Sequence, residues 1–177
     1  TFNPALGTVL NAGTHTLTVT FDPADATTYN QATKTVTLVV NKATPVITWN
    51  NPAAITYGTA LSNTQLSATV AGNLPGNWVY TPPLGEVLNA GTHTLSVTFN
   101  PQDSTNYSPA TKTATITVGK ATPVITWNNP ARITYGTALS NTQLNASVAG
   151  NIPGRWDYNP GAGVVLQTGD GQVLQVT

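Results

Sequence analysis

The chain has 177 residues, of which 40% are hydrophobic, and this is enough apolar material for small packed cores. Only 7% of the residues are charged and six Lys and Arg balance six Asp and Glu, which excludes the basic surface that nucleic acids and anionic lipids require. The chain contains no cysteine, so disulfides and thiolate chemistry are excluded as well.

Residues 1–41 contain the first two predicted strands. In each of them apolar and polar side chains alternate, which is the pattern of an antiparallel strand with one buried and one solvated face. The polar positions are mostly threonines, which are common on the outer face of a sheet. The apolar positions are Leu17, Val19 and Phe21 in the first strand and Val36, Leu38 and Val40 in the second.

Residues 42–119 contain the same two strands again, after a stretch that has no earlier counterpart. The sequence VLNAGTHTL starts at Val9 and again at Val87, which sets the period at 78 positions. The new stretch includes a strand in which Trp78 and Tyr80 share one face. The apolar positions of the repeated strands are Leu95, Val97 and Phe99, followed by Ala114, Ile116 and Val118.

Residues 120–177 repeat the beginning of residues 42–119. Comparison of 42–81 with 120–159 gives 33 identical positions among 40. The changes introduce Arg155 and Asp157 on the strand face opposite Trp156 and Tyr158, which indicates that this face is exposed to solvent. Near the end, a Gly-Asp-Gly sequence at residues 169–171 adds one residue, as expected of a hairpin turn.

These sequences define three segments: the first (1–41), the middle (42–119) and the last (120–177). Their period is too long for a solenoid repeat and suits a small β-sandwich. No stretch has helical periodicity, and no apolar run approaches the ~18 residues of a membrane helix. The sequence therefore predicts an all-β chain of tandem antiparallel β-sandwich repeats. The first segment is the C-terminal part of one repeat, the middle segment a complete repeat, and the last segment the N-terminal part of a third.

The predicted repeats follow one another with almost no linker. Between the final strand of the middle segment and the first strand of the last one, residues 119–122 are followed by Pro123, which restricts the chain. We therefore expect a stiff rod. With strands of about 10 residues at ~3.3 Å each, one repeat should lengthen it by ~35–40 Å.

A resemblance to a known family begins at residues 10–33, LNAGTHTLTVTFDPADATTYNQAT, and recurs at 88–111. These stretches resemble bacterial immunoglobulin-like repeats of the group 3 type. The resemblance implies an immunoglobulin-like sandwich, an extracellular bacterial setting and a spacer or adhesive role, and it brings no catalytic residues. The spacing of Asp103 and Tyr107 is similar to the corner of such domains in which a Tyr hydroxyl bonds back to the chain.

Because the chain lacks the disulfide of many immunoglobulin domains, its cores must depend on packing alone. Aromatic side chains bury the largest areas, and we expect them, with the apolar face of the Leu95 strand, to form these cores. The predicted core residues are Trp49, Tyr57, Trp78, Tyr80, Leu95, Val97, Phe99, Tyr107, Trp127, Tyr135, Trp156 and Tyr158.

The polar residues point to no catalytic or metal site. His15 and His93 occupy equivalent positions one period apart, so we expect them to be strand-end residues and not joint ligands. Asp25 and Asp103 stand in turns, where Asp caps backbone amides, whereas Ca²⁺ needs roughly six to eight oxygens. Glu86 is replaced by Thr8 and Val164 in the other copies. We therefore predict no cofactor, no metal and no enzyme activity.

Two functional hypotheses remain. In the first, the repeats are rigid spacers of an extracellular stalk, adhesin shaft, filament or sheath, and the uncharged Thr-rich faces pack against neighbouring chains. In the second, the exposed loops at residues 73–78 and 151–156 bind a glycan or a surface protein. The changes from Asn77 to Arg155 and from Val79 to Asp157 favour the second hypothesis.

The predicted partners are other copies of the repeat, on neighbouring segments or chains. Repeats this similar can exchange strands, and a segment that is only part of a repeat can complete its sandwich with strands of another chain. Nucleic acid and a membrane span are not expected. We expect the protein to be extracellular or at the bacterial cell surface.

Overall fold

The computed structural model describes residues 1–177 as an all-β chain with two short 3-10 turns, Ala71–Asn73 and Ala149–Asn151. None of its helices has the length and apolarity to cross a membrane. The residues form two compact units, Thr1–Lys120 and Ala121–Thr177. The strands are β1 (Phe2–Asn3), β2 (Gly13–Phe21), β3 (Ala32–Val40), β4 (Ile47–Thr48), β5 (Ile55–Thr56), β6 (Thr69–Val70), β7 (Gly76–Thr81), β8 (Gly91–Pro101), β9 (Ala110–Gly119), β10 (Ile125–Thr126), β11 (Ser147–Val148), β12 (Tyr158–Asn159) and β13 (Gln175–Val176).

The hairpin β8–β9 follows the sequence alternation closely. Leu95 pairs with Ala114, and Phe99 pairs with Ala110 in the same antiparallel register. All four side chains are buried, and Val97, between Leu95 and Phe99, is buried with them. The alternate positions, Ser96, Thr98, Thr111 and Thr113, carry hydroxyl groups on the other face, whereas Lys112 pairs with Val97 and is exposed. Period-2 alternation therefore determines which face of this hairpin is buried.

The four-stranded sheet of the middle segment has the order β5-β9-β8-β7. The predicted antiparallel pairing holds for β7–β8 and β8–β9, but β5 lies parallel to β9, with Ile55 opposite Val118. A parallel pair needs a long connection, and here β6, β7 and β8 lie between the two strands in the chain.

A short ladder, β4–β6, supplies the other side of the core. Ile47 pairs with Val70, and both side chains belong to the same apolar cluster as the inner face of the four-stranded sheet. Trp78 and Phe99 pack in this cluster with ring centroids 4.5 Å apart. The fully buried members, Leu95, Val97, Phe99 and Ile116, have no exposed surface.

The first segment forms a separate sheet, β1-β2-β3, whose pairing is equivalent to that of the middle segment. Leu17 pairs with Val36 as Leu95 pairs with Ala114. Burial differs, because every residue of β3 except Val40 is exposed. The pairing of β2 with β3 is therefore independent of whether their apolar face is covered.

The last segment contains the ladders β10–β11 and β12–β13. Tyr158 pairs with Val176, which is equivalent to Tyr80 opposite Val97 once one extra residue is allowed for. This register places the insertion between the two strands, where residues 168–170 form a bend. Leu139 and Leu144 are the buried apolar residues of this segment.

Three of the predicted core residues are not in a core: Tyr57, Tyr107 and Tyr135. Tyr107 is half-buried but does not belong to the apolar cluster of the middle segment. Tyr57 and Tyr135 are 50% and 66% exposed. Tyr57 follows the end of β5, and its amide donates to the carbonyl of Gly119, the last residue of β9, so no further strand residue covers its ring. Trp49 is buried together with the inner residues of β8. Six of the predicted core residues are half-buried, and they are Trp78, Tyr80, Tyr107, Trp127, Trp156 and Tyr158.

Candidate functional site at the joint between the first and middle segments

The middle segment begins with Lys42 and Ala43, which lie along a loop of the same segment, Asp103–Ser108. We call this loop the joint loop. The Ala43 amide donates to the Asn106 carbonyl at 2.8 Å, and the Ala43 carbonyl accepts from the Ser108 amide at 2.9 Å. The Lys42 ammonium group donates to another carbonyl of the loop at 2.7 Å. Since β3 ends at Val40, Asn41 is the one residue between the first sheet and this fixed stretch.

Two hydrogen bonds cross from the middle segment to the first, and both involve Asn106. Its Oδ1 atom accepts from the Ala12 amide at 2.8 Å, and its Nδ2 atom donates to Oδ1 of Asn11 at 3.3 Å. Asn11 and Ala12 immediately precede β2. The Asn106 side chain thus connects the joint loop to the main sheet of the first segment.

Asp103 holds the joint loop in shape. Its Oδ1 atom accepts from the amides of Thr105 and Asn106 at 3.1 Å each, and its Oδ2 atom accepts from Nδ2 of Asn106 at 2.8 Å. The Asn106 side-chain bond is the largest of the effects that lower the pKa of this carboxyl group, and the positive charge of Lys42 adds to them. Asp103 is therefore ionised at neutral pH, and it orients the side chain that crosses the joint.

The equivalent turn of the first segment is built around Asp25. The Thr27 hydroxyl donates to Oδ1 of Asp25 at 2.6 Å, and the Thr27 amide donates at 3.0 Å. With further bonds from Thr28, the Thr27 hydroxyl lowers the pKa of Asp25 to about 2. Thr28 stands at the position of Asn106 and has no side-chain amide. The two turns therefore share the Asp and differ in the residue that can reach another segment.

The predicted hydroxyl bond of Tyr107 is replaced by a main-chain bond, in which the Tyr107 amide donates to the Asp103 carbonyl at 3.1 Å. The tyrosine hydroxyls that contact the main chain belong to Tyr80 and Tyr158. Each accepts from an alanine amide, at 3.1 and 3.0 Å. Tyr80 and Tyr158 lie on strands that pack against the Trp of their own segment, so their hydroxyls reach the neighbouring main chain.

The two histidines close equivalent turns. Nε2 of His15 lies 2.7 Å from the Asn11 carbonyl, and Nε2 of His93 lies 2.7 Å from the Asn89 carbonyl. A carbonyl only accepts hydrogen bonds, so each ring nitrogen donates. No group of three or more His, Asp or Glu side chains that could hold a metal ion is present.

The loops of the binding hypothesis follow the two 3-10 turns. Asn73 and Asn151 have φ angles of 50° and 51°, so the backbone takes the same left-handed conformation in both copies. Arg155 and Asp157 are exposed and precede β12, outside any strand, whereas their counterparts Asn77 and Val79 lie within β7. The property of these loops that bears on binding is a pair of exposed side chains that differ between the copies and follow a turn with the same conformation in both.

A cleft of about 950 Å³ lies in the last segment. Trp127, Leu139, Leu166 and Leu174 contribute apolar side chains to its lining. Arg132 and Asp170 also line it and lie 3.7 Å apart, but both side chains are more than nine-tenths exposed and this ion pair contributes little.

The sequence did not identify Asn106 as a joint residue. Its partners Asn11 and Ala12 are 95 and 94 residues away in the chain, so no local pattern connects them. The one feature of the sequence that could have pointed to Asn106 is that Thr28 stands at the equivalent position of an otherwise similar turn. Comparisons with protein-family models, curated proteins and solved structures gave no match to this chain.

Proposed function

We propose that the chain is a tandem array of immunoglobulin-like sandwich repeats whose role is structural and not enzymatic. The repeats act as rigid spacers in a stalk, adhesin shaft, filament or sheath outside a bacterial cell. Their partners are neighbouring repeats and neighbouring chains of the same kind.

The observation that carries this proposal is the fixed joint. Flexible linkers leave domains free to move, but here one residue separates β3 from a stretch that is hydrogen-bonded to the joint loop. Asn106 adds two hydrogen bonds to the residues before β2, a different strand from the one that makes the chain connection. Two separate attachments restrict rotation far more than one does, which is the property a spacer needs.

The outer faces of the hairpins support association between neighbouring chains. Thr16 lies opposite Thr37 in the first segment, and Thr94 lies opposite Thr115 in the middle one. These rows carry hydroxyl groups and almost no charge, so two of them can approach without electrostatic repulsion.

The joint is tested by pulsed electron spin resonance between labels on Cys introduced by Thr35→Cys and Thr113→Cys, two exposed outer-face positions in a chain without native cysteine. We expect a single narrow distance distribution. Asn106→Ala should broaden it, because both crossing bonds are lost, and adding Lys42→Ala should broaden it further. Thr28→Ala is the matched control, at the equivalent position of the first segment, and should leave the width unchanged. A wild-type distribution as broad as that of the double variant would refute the spacer role.

A binding role is the second candidate, favoured by the two 3-10 turns, in which Asn73 and Asn151 share one backbone conformation, while Arg155 and Asp157 replace Asn77 and Val79 after the turn. Exposed residues that vary on a constant frame are common in recognition loops. In this role, the array presents its loops to a glycan or to a surface protein.

A further inference from the structure

The connection between β2 and β3 contains the one Asp-Pro bond of the chain, between Asp22 and Pro23. The equivalent residues of the middle segment are Asn100 and Pro101. The nitrogen of a proline belongs to a tertiary amide and carries no hydrogen. Such a nitrogen accepts a proton more readily than that of an ordinary peptide bond, so it is a better leaving group in acid. The two copies therefore differ in the group that stands next to this bond, a carboxyl group in one and an amide in the other.

The Asp22 side chain is exposed and is held at one oxygen only. Nε2 of Gln31, the residue before β3, donates to Oδ1 of Asp22, and no hydrogen bond is made to Oδ2. Asn100 is exposed as well, although β7 pairs with β8 at this position through Asn77. The exposure of Asp22 thus follows from its place on the outer face of the hairpin and does not require that β2 lack a neighbouring strand.

No charged group pairs with the Asp22 carboxyl group. Asp25 follows in the same connection and accepts its hydrogen bonds from the turn that it begins. Lys34 on β3 and the amino group of Thr1, which bonds to a carbonyl of β2, make no ion pair with Asp22. The Asp22 carboxyl group can therefore take up and release a proton without breaking an ion pair.

We propose that the Asp22–Pro23 bond is a site at which the chain cleaves itself in mild acid. Oδ2 of Asp22 attacks the main-chain carbonyl carbon of the same residue, and a cyclic anhydride forms. The bond from that carbon to the Pro23 nitrogen breaks, and the carboxyl proton passes to this nitrogen. Water then opens the anhydride. The products are residues 1–22, with two free carboxyl groups on Asp22, and residues 23–177, with the secondary amine of Pro23 at the N-terminus.

The attack is intramolecular, because the reacting groups belong to one residue and the leaving nitrogen belongs to the next. It requires no other side chain, and the exposed position of Asp22 admits the acid and the water that the reaction consumes. The amide group of Asn100 has no acidic proton to give to the nitrogen of Pro101. We therefore expect the equivalent bond of the middle segment to stay intact under the same conditions.

Cleavage at this bond leaves the products paired. β2 ends at Phe21 and β3 begins at Ala32, so the cut falls in their connection and the ladder between them is unchanged. The two products should separate only when this hairpin unfolds. In an array under tension, the cut hairpin would be the place where the array parts, and at rest the array would keep its shape.

The test is mass spectrometry of the 177-residue chain after incubation in dilute acetic acid, with circular dichroism to follow the folded state. Under denaturing conditions we expect two fragments, one ending at Asp22 and one beginning at Pro23. Their summed mass should exceed that of the intact chain by one water. Under native conditions the two fragments should remain in one complex, and incubation at neutral pH should leave the chain whole.

Three variants assign the reaction to this bond. Asp22→Asn reproduces the dipeptide of the middle segment and should slow the cleavage by about tenfold or more. Asn100→Asp places the same Asp-Pro sequence in the middle segment and should add a second cut, after residue 100. Asp25→Asn is the matched control, because it removes a carboxyl group from the same connection and not from the bond. It should cleave as the wild type does.

Several results would overturn the inference. They are a wild type that stays whole in acid, an Asp22→Asn variant that is cut at the wild-type rate, and an Asn100→Asp variant without the second cut. A wild type that is cut only after its circular dichroism signal is lost would also contradict it. The spacer role does not depend on any of these results, because the distance distribution across the joint is measured on the uncut chain.

Discussion

Phe21 and Phe99 stand at equivalent positions, one period apart, in hairpins of the same register. Phe99 is fully buried against Trp78, whereas Phe21 is 65% exposed. The local sequence around the two rings is nearly identical, so it does not determine their burial. The middle segment has β4–β6 and the Trp49 region to cover its hairpin, and the first segment has no such layer. Strand pairing is thus a local property of this chain, and core formation in the middle segment depends on the layer that β4–β6 and Trp49 supply.

The largest difference between the two hairpins should appear on truncating these rings. Phe99→Ala leaves a cavity beside Trp78 and should lower the free energy of unfolding by about 3–5 kcal/mol. Phe21→Ala removes an exposed ring and should change it by less than about 0.5 kcal/mol. Denaturant unfolding followed by tryptophan fluorescence, at concentrations where the chain is monomeric, measures both. If the two substitutions lowered the free energy of unfolding equally, the claim that only Phe99 lies in a core would be contradicted.

A smaller difference is expected between two glycines, Gly76 and Gly154, that are also one period apart. A Cβ atom on Gly76 would lie 2.5 Å from the Asn100 carbonyl oxygen and 2.5 Å from the Phe99 ring. Gly76→Ala should therefore cost about 1–3 kcal/mol, as overpacking does. At Gly154 nothing lies within 4 Å of such an atom, and Gly154→Ala should be tolerated. Thermal unfolding of the two variants sharpens the comparison, and a destabilised Gly154→Ala would contradict it.

The sequence predicted the parts of the fold that depend on neighbouring residues. Alternation around Leu95 and Phe99 indicated the buried face, and the register of β12 with β13 places the extra residue between these two strands. The parallel pairing of Ile55 with Val118 was not predicted, because the two residues are far apart in the chain and neither end has a distinctive pattern. Tyr57 was assigned to the core from its size, but its place beyond the end of β5 leaves the ring in solvent.

The candidate site was less predictable than the fold. The turn role of Asp103 follows from its short side chain and its position after a strand, and the sequence identified it. Asn106 acts across the joint, and its function depends on where the first segment lies when the chain is folded. A contact of this kind is determined by tertiary structure and has no signature in the residues around it.

Amide hydrogen exchange on the monomeric wild-type chain tests the central claim most directly, because it reports protection strand by strand. We predict that amides of β8 and β9 exchange only through global unfolding, whereas the equivalent amides of β2 and β3 exchange through local opening, at much higher rates. The strand pairing is the same in both hairpins, so a difference in amide protection measures the effect of the layer that covers β8 and β9. Equal protection of the two hairpins would contradict the claim that only the middle segment has a complete core.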